Sequence, residues 1–352
     1  INKHNLLHCT RYAPPSGRRF GPWLQACAND LLWHPLWSAR FVEDRSGHRL
    51  ERLRGGLSFW ARAKSYDLIH AHSGYNGMRL LPLYQEGVLD APLVVTFHGH
   101  DANAFLARQP ANYYQPLFSR AQALIACSTY MQARLLALGA PAEKLHVIAN
   151  GVAVEHIPFR LREPPRGRAL QLLTVGRLVP FKGLEVLLAA LAEPELMALP
   201  LTLHVVGDGP LKAALHEQVV RTGLADRVVF YGACAHERVL ELMDGSDLYL
   251  APAVVDEQGN TETQGIALLE ALASGLPVIA SEVGGIPETL GSEAVALLEP
   301  GDVAMLSAAI LKWARASEAH AERATRGLQR VGEVYGAARW LDALESLYDQ
   351  LN

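Results

Sequence analysis

Two carboxylates eight residues apart, Glu262 and Glu270, bracket the stretch of this chain best equipped for chemistry. The run Glu262-Thr-Gln-Gly-Ile-Ala-Leu-Leu-Glu270 reads as a loop, a glycine and then an apolar helix. Gly265 allows the backbone to approach a ligand closely. The free N–H groups of the first helical turn, at Ile266 and Ala267, then face a phosphate. Glu270, read as about two turns into the helix, is placed to accept hydrogen bonds from ribose hydroxyls. Either glutamate alone is explained as well by a surface charge. The whole string, running on to Gly275-Leu-Pro-Val-Ile-Ala280, favours a binding site.

A second constellation, Val175-Gly-Arg-Leu-Val-Pro-Phe-Lys-Gly183, places Arg177 and Lys182 in a turn between a strand and a helix. Open α/β sheets bind ligands at that edge. Two cations there can neutralise a diphosphate leaving group. A third, Val206-Gly-Asp-Gly-Pro-Leu-Lys212, offers Gly207 and Asp208 in a tight turn, with Pro210 read as the first helical residue. A helix start alone accounts for it, and a phosphate role stays open. A dinucleotide fingerprint would want a third glycine where Lys212 stands, which disfavours a dehydrogenase.

In the first half, Thr96-Phe-His-Gly-His-Asp101 follows a strand at its C-terminal edge. An imidazole at His98 can hydrogen-bond a sugar hydroxyl or organise reacting groups. His70 and His72 alternate onto one strand face with a spacing that suits a metal. No third ligand is evident, and no metal site is assigned.

These residues need elements to position them. Near-continuous apolar runs recur at Asp67–His72, Leu93–His98, Ala123–Ser128, Leu145–Asn150, Leu170–Gly176, Leu201–Gly207, Val228–Gly232, Leu248–Pro252 and Pro277–Ser281. Such runs fit parallel strands covered on both faces. Amphipathic segments 183–193, 209–222 and 265–274 alternate with them, so the expected class is α/β with doubly wound parallel sheets. The chain of 352 residues exceeds what one core usually holds, and two domains are expected. The Pro- and Arg-rich stretch 158–168 is read as the linker, giving domains 1–160 and 166–335.

Half the residues are hydrophobic and 19% are charged, which excludes a disordered chain. No apolar stretch is long enough to span a bilayer, and no secretion signal is read. Cys9, Cys27, Cys127 and Cys234 form no CxxC pair, which fits a reducing, cytoplasmic setting. The net charge of −4 hides an asymmetry: residues 1–165 carry 18 Lys/Arg against 11 Asp/Glu, and the remainder carries 14 against 25. The basic half is expected to meet a phosphate or the anionic inner face of a membrane, although an uneven solvated surface would look the same. No basic stripe with interleaved aromatics suggests nucleic acid.

Together, the Glu-x7-Glu string, the Gly-Arg…Lys-Gly turn and the Gly-Asp-Gly-Pro turn resemble retaining glycosyltransferase family 4, of GT-B fold. The loop Pro252–Glu262 is similar to that of exopolysaccharide transferases of the colanic acid and amylovoran type. The resemblance runs from about residue 65 to 350. It implies that Arg177 and Lys182 bind the donor diphosphate and that Glu270 holds the ribose. It further implies that Glu262 and the backbone of Gly265, Ile266 and Ala267 bind donor sugar and phosphate. Tyr231, Gly232 and Ala233 would face the base, and His98 the donor sugar, with His100 and Asp101 on the acceptor side. The expected donor is a UDP- or GDP-hexose, with no cofactor and no metal. The absence of any Asp-x-Asp pair agrees, since metal-dependent transferases normally use one.

The acceptor expected from the resemblance is a saccharide or lipid-linked saccharide. The stretch Leu6–Gly21 departs most from the family, with Gly17 in the loop role and Arg18 and Arg19 facing an anionic acceptor. The family carries Asp where Ala153 stands. The last helix, within 336–352, is assigned by resemblance back to the first domain. A nucleotide-sugar epimerase of the same fold and a non-catalytic nucleotide-sugar binder remain the alternatives, and nothing in the sequence fixes the oligomeric state.

Overall fold

The computed structural model describes residues 66–87, 89–165, 167–315 and 321–351. The expectations for Gly17, Arg18 and Arg19 lie outside these residues.

The first sheet holds four parallel strands in sequence order: β1 (Ile69–His72), β2 (Leu93–Phe97), β3 (Ala123–Ala126) and β4 (Leu145–Val147). Helices α1 (Gly74–Gln85), α2 (Gln115–Arg120) and α3 (Thr129–Ala137) connect them. The Ser128 side chain caps α3 by accepting from the Met131 amide, meeting one of the donors that a helix start leaves unpaired.

The second sheet holds six parallel strands. They are β5 (Leu170–Val175), β6 (Leu201–Val206), β7 (Val228–Gly232), β8 (Leu248–Ala251), β9 (Val278–Ser281) and β10 (Ala296–Leu298), in the order β10-β9-β8-β5-β6-β7. The helices around it are α4 (Leu184–Leu191), α5 (Pro194–Met197), α6 (Lys212–Arg221), α7 (His236–Gly245), α8 (Ile266–Ala273), α9 (Ile286–Leu290), α10 (Val303–Ala314) and α11 (Ala321–Tyr335). The order reverses between β5 and β8, which opens a crevice at their C-terminal ends. The sequence reading contains nine of these ten strands. It omits β10, three residues at the sheet edge, too short to carry a pattern.

Both faces of the first sheet are covered, which is why β2 and β3 are buried at every position. On β2, Leu93, Val95 and Phe97 meet Leu80 and Leu81 of α1 and Leu117 and Phe118 of α2. Val94 points the other way and packs with Ala123 and Ile125 beneath Leu344 and Leu347. Those two leucines belong to the last helix, α12 (Ala337–Asp349), which returns to the first sheet.

The chain therefore crosses between the sheets twice, and the two crossings run side by side. Val152 donates to the Tyr335 carbonyl at 2.8 Å, and Ala337 donates to the Val152 carbonyl at 2.9 Å. The first crossing, at Val152, lies just ahead of the stretch 158–168 read as the linker. Val152 and Ile157 already belong to the second core. The Arg162 guanidinium is buried and donates to the carbonyls of Ser274 and Met243, fastening the stretch to the ends of α8 and α7. Its arginines anchor it where the composition suggested a free linker.

Gly183 fixes the turn that follows β5. Its φ is +67°, and a Cβ built there would lie 1.8 Å from the Pro252 carbonyl oxygen. Gly183→Ala is expected to cost about 2–4 kcal/mol, combining backbone strain with a forced shift of the β8 loop. Gly87→Ala serves as control, because its φ is +68° with no atom within 4 Å, and should cost only about 1–2 kcal/mol. Urea unfolding of both variants measures the difference.

Candidate functional site

Two adjoining cavities occupy the seam between the halves. The larger, of about 460 Å³, is lined from the first half by Tyr75, His98 and His100 and from the second by Arg177, Lys182 and Glu262. The smaller, of about 200 Å³, sits at the β5/β8 switch point against Gly176, Gly265, Ile266 and Ala267, and shares Lys182 and Glu262 with the first. Nine of the residues named from sequence, with His98, His100 and Asp101 from the first half, thus meet around one space.

Local structure explains the meeting. Lys182 ends a short turn after β5 and lies across Gly176, whose missing side chain leaves it room. Its ammonium pairs with the Glu262 carboxylate, both groups largely shielded from solvent. Arg177, one residue past Gly176, is exposed, and its guanidinium has no hydrogen-bond or ion-pair partner among the described residues. Gly265 caps α8 with φ +82°, and the amides of Ile266 and Ala267 precede the first intrahelical bonds, so their N–H groups are free for an anion.

Glu262 is held from below by a feature the sequence reading missed. Gly284 and Gly285, after β9, press against the backbone of Glu262 and Thr263. A Cβ on either would lie 2.0 Å from a carbonyl oxygen there, and the Gly285 amide donates to the Glu262 carbonyl at 2.9 Å. The signal was the glycine pair directly after a strand run.

Glu270 is the fifth residue of α8, just over one turn in, and its carboxylate accepts from His236 Nε2 at 2.8 Å. Tyr231 pairs through its hydroxyl with His204 Nδ1 at 2.9 Å. Gly232 ends β7 and Ala233 is exposed beyond it. Gly207 ends the β6 turn, while the Asp208 carboxylate accepts from the Gly209 amide and Lys212. Pro210 lies two residues ahead of α6, in the turn, and does not open the helix. None of these lines either cavity, though they share the same strand-end edge.

Asp101 does not present its carboxylate to an acceptor. One oxygen accepts from the amides of His98 and Gly99 at 3.0 and 2.9 Å, and the other from Gly74 at 2.8 Å. It is 1% exposed. A carboxylate with three backbone donors is a brace, and here it shapes the loop that carries His98. His100 is exposed and lines the cavity.

His72, set aside in the sequence reading, brings Nδ1 to 3.0 Å from His98 Nε2. His70 lies behind it, bonded to the hydroxyls of Thr96 and Tyr348 at 2.7 and 2.6 Å. Burial lowers the pKa of all three imidazoles. For His70, burial with the neighbouring His72 and His98 brings it to about 3. A histidine so depressed is neutral when folded and takes up a proton on unfolding below its ordinary value of 6.5. Its contribution to stability is therefore full above pH 6.5 and is lost as pH falls toward 3. Each pH unit crossed inside that window should cost up to about 1.4 kcal/mol. Urea unfolding at stepped pH should show a shallower acid loss in His70→Gln than in the parent chain.

A polar, two-sided crevice at a strand-order reversal, with an unpaired arginine and helix amides facing it, has the chemistry to receive an anion and is built on two facing doubly wound domains. Comparison with known proteins places it further. Residues 8–156 match the family described as Glycosyltransferase Family 4, and residues 159–330 match Glycosyl transferases group 1. The chain belongs to glycosyltransferase family 4.

It is 32% identical over 248 residues to the amylovoran biosynthesis glycosyltransferase AmsK of Erwinia amylovora, covering 70% of this chain and 61% of AmsK. It is 28% identical to the putative colanic acid biosynthesis glycosyltransferase WcaL of Escherichia coli, over 85% of this chain and 75% of that one. The fold is GT-B. HepE of Anabaena, solved with UDP and glucose, superposes with a TM-score of 0.71 at 21% identity, covering 88% of this chain and 84% of HepE.

Proposed function

We propose that the chain is a retaining, metal-independent hexosyltransferase of cell-surface polysaccharide synthesis. The donor is a UDP- or GDP-hexose and the acceptor a saccharide or lipid-linked saccharide. The observation that carries this reading is the convergence of Arg177, Lys182 and the α8 amides on one crevice that also receives His98. AmsK and WcaL, both named for exopolysaccharide synthesis, support the substrate class.

On this reading the donor lies on the second domain with its diphosphate against Arg177, Lys182 and the amides of Ile266 and Ala267. Those cations carry the charge that a divalent ion would otherwise neutralise. Glu262 takes the donor sugar, His98 approaches it from the first domain, and Glu270, steadied by His236, takes the ribose. The acceptor hydroxyl attacks from the face the diphosphate leaves. The C1–O bond to the diphosphate breaks as the new glycosidic bond forms, and the acceptor proton passes to the departing phosphate. Closure of the seam excludes water from the reacting carbon.

Among the described residues no helix is long and apolar enough to cross a membrane. A cytoplasmic location, with peripheral contact at an anionic membrane surface, belongs to this reading.

Calorimetry with UDP and with GDP, in the presence of a chelator, tests the donor site. One nucleotide should bind, and Arg177→Ala should weaken it roughly 10–100-fold, the worth of a lost charge-assisted bond. Binding of neither would sink the donor site. With the matching nucleotide hexose, Lys182→Ala should lower kcat about 10²–10³-fold with an unaltered unfolding midpoint. Turnover equal to the parent's would remove Lys182 from the reaction.

A further inference from the structure

The imidazole pair at the seam carries a consequence beyond the donor contacts. The His72 and His98 rings lie 10° from parallel with centroids 5.2 Å apart, while Nδ1 of His72 and Nε2 of His98 are 3.0 Å apart. The rings therefore meet edge to edge, in the alignment of a hydrogen bond between nitrogens. Such a bond needs one proton on the shared edge and one lone pair facing it.

That requirement couples the two tautomers. If His72 donates from Nδ1, the Nε2 of His98 is bare, and both rings carry their proton on Nδ1. If His98 donates from Nε2, the Nδ1 of His72 is bare, and both carry it on Nε2. Mixed tautomers would set two protons or two lone pairs against each other.

The pair is also anchored. His70 stacks on His72 with centroids 4.5 Å apart, and both of its own nitrogens are engaged, by Thr96 and by Tyr348 of α12. Asp101 fixes the His98 backbone from below, and Thr263 of the second domain donates to the His98 carbonyl at 3.2 Å. The charged groups around the pair are Asp101 beneath the loop and Arg177, Lys182 and Glu262 across the cavity that His98 lines. His70 and Tyr348 face it from β1 and α12. Burial holds His70 neutral and raises the Tyr348 phenol to about 12, so neither adds a charge near neutral pH.

We infer that His72 is a positioning residue that fixes the ring orientation and tautomer of His98, leaving His98 to meet its substrate through Nδ1 alone. The consequence for turnover rests on the transferase reading above, whereas the pairing itself does not. His72 is exposed, so its replacement leaves the core intact. An asparagine there sets an amide near the place of the imidazole Nδ1 and can keep the bond; a leucine cannot.

Long-range proton–nitrogen correlation spectra of the full chain, with nitrogen-15 histidine, read the tautomers without any ligand. His98 resonances are assigned by their loss in His98→Gln. Near neutral pH, His72 and His98 should show one shared tautomer. His98 should stay fixed in His72→Asn and exchange between tautomers in His72→Leu. Unchanged His98 nitrogen shifts in His72→Leu overturn the pairing.

The second readout is nucleotide release from UDP-glucose and GDP-mannose by the same variants. His72→Leu should lose about tenfold or more in kcat, with the affinity for UDP or GDP unchanged and His72→Asn restored most of the way. Exchange of the His98 tautomer with undiminished turnover overturns the positioning role. Failure of every variant and of the parent to bind either nucleotide would defeat the transferase reading, with the spectra still deciding the pairing.

Discussion

The strip Asn260–Gln264 is the constraint on which the site depends, because it ties the second domain to the first on both sides of Glu262. Asn260 accepts from the Ala104 amide at 2.9 Å while its own amide group donates to Asp256, which fixes its orientation. Thr263 donates to the His98 carbonyl. Gln264 accepts from the Asn150 backbone and side chain and returns a bond to the Asn150 carbonyl. Glu262 sits between these anchors, so its place beside His98 follows from the seam. The bonds are polar and individually worth about 0.5–1.5 kcal/mol net, which suits an interface that opens and re-forms more than one buried for good. Glu288 of α9, bound to the amide and hydroxyl of Thr129, adds a further contact of the same kind.

The charges at the seam divide into paired and unpaired. Lys182 and Glu262 neutralise each other where the two cavities meet, which keeps a largely shielded ammonium and carboxylate from standing alone. Arg177 is left exposed and unpaired, and its field is the one an approaching anion meets first. On the proposed reading the diphosphate then competes for Lys182 and releases Glu262 to the sugar. On that reading the Lys182–Glu262 ion pair prepares both of its members for the ligand.

Much of this was legible in the sequence, and for identifiable reasons. Apolar runs made β1 to β9 stand out, most clearly where burial on both faces makes every position apolar or small, as in β2, β3 and β9. Glycines with a steric duty, Gly176, Gly183 and Gly265, stood next to the charged residues they accommodate. Residues that act through a fold contact were not legible. Nothing local distinguishes Asp101 as a brace, since two of its three donors are its neighbours' amides and the third comes from α1. Arg162 looked like a linker residue because its acceptors, Ser274 and Met243, lie far along the chain. His72 looked accidental because the alternation that joins it to His70 says nothing of His98, which arrives from the next strand.

The two domains contribute opposite kinds of group, and burial explains the division. The second supplies fixed charge and free amides at helix and strand ends, where solvent and backbone dipoles tolerate ions. The first supplies imidazoles, the innermost of them, His70, backed by the covered side of a sheet, and a proton on any of the three rings would sit close to the other two. Neutrality is thus enforced on the His70–His72–His98 column by its surroundings. A neutral imidazole can both give and take a hydrogen bond, whereas a protonated one can only give. On the proposed reading, a site that holds a diphosphate on one wall and orients uncharged hydroxyls on the other has use for this arrangement. Cations on the imidazole wall would compete for the phosphate, and carboxylates there would repel it.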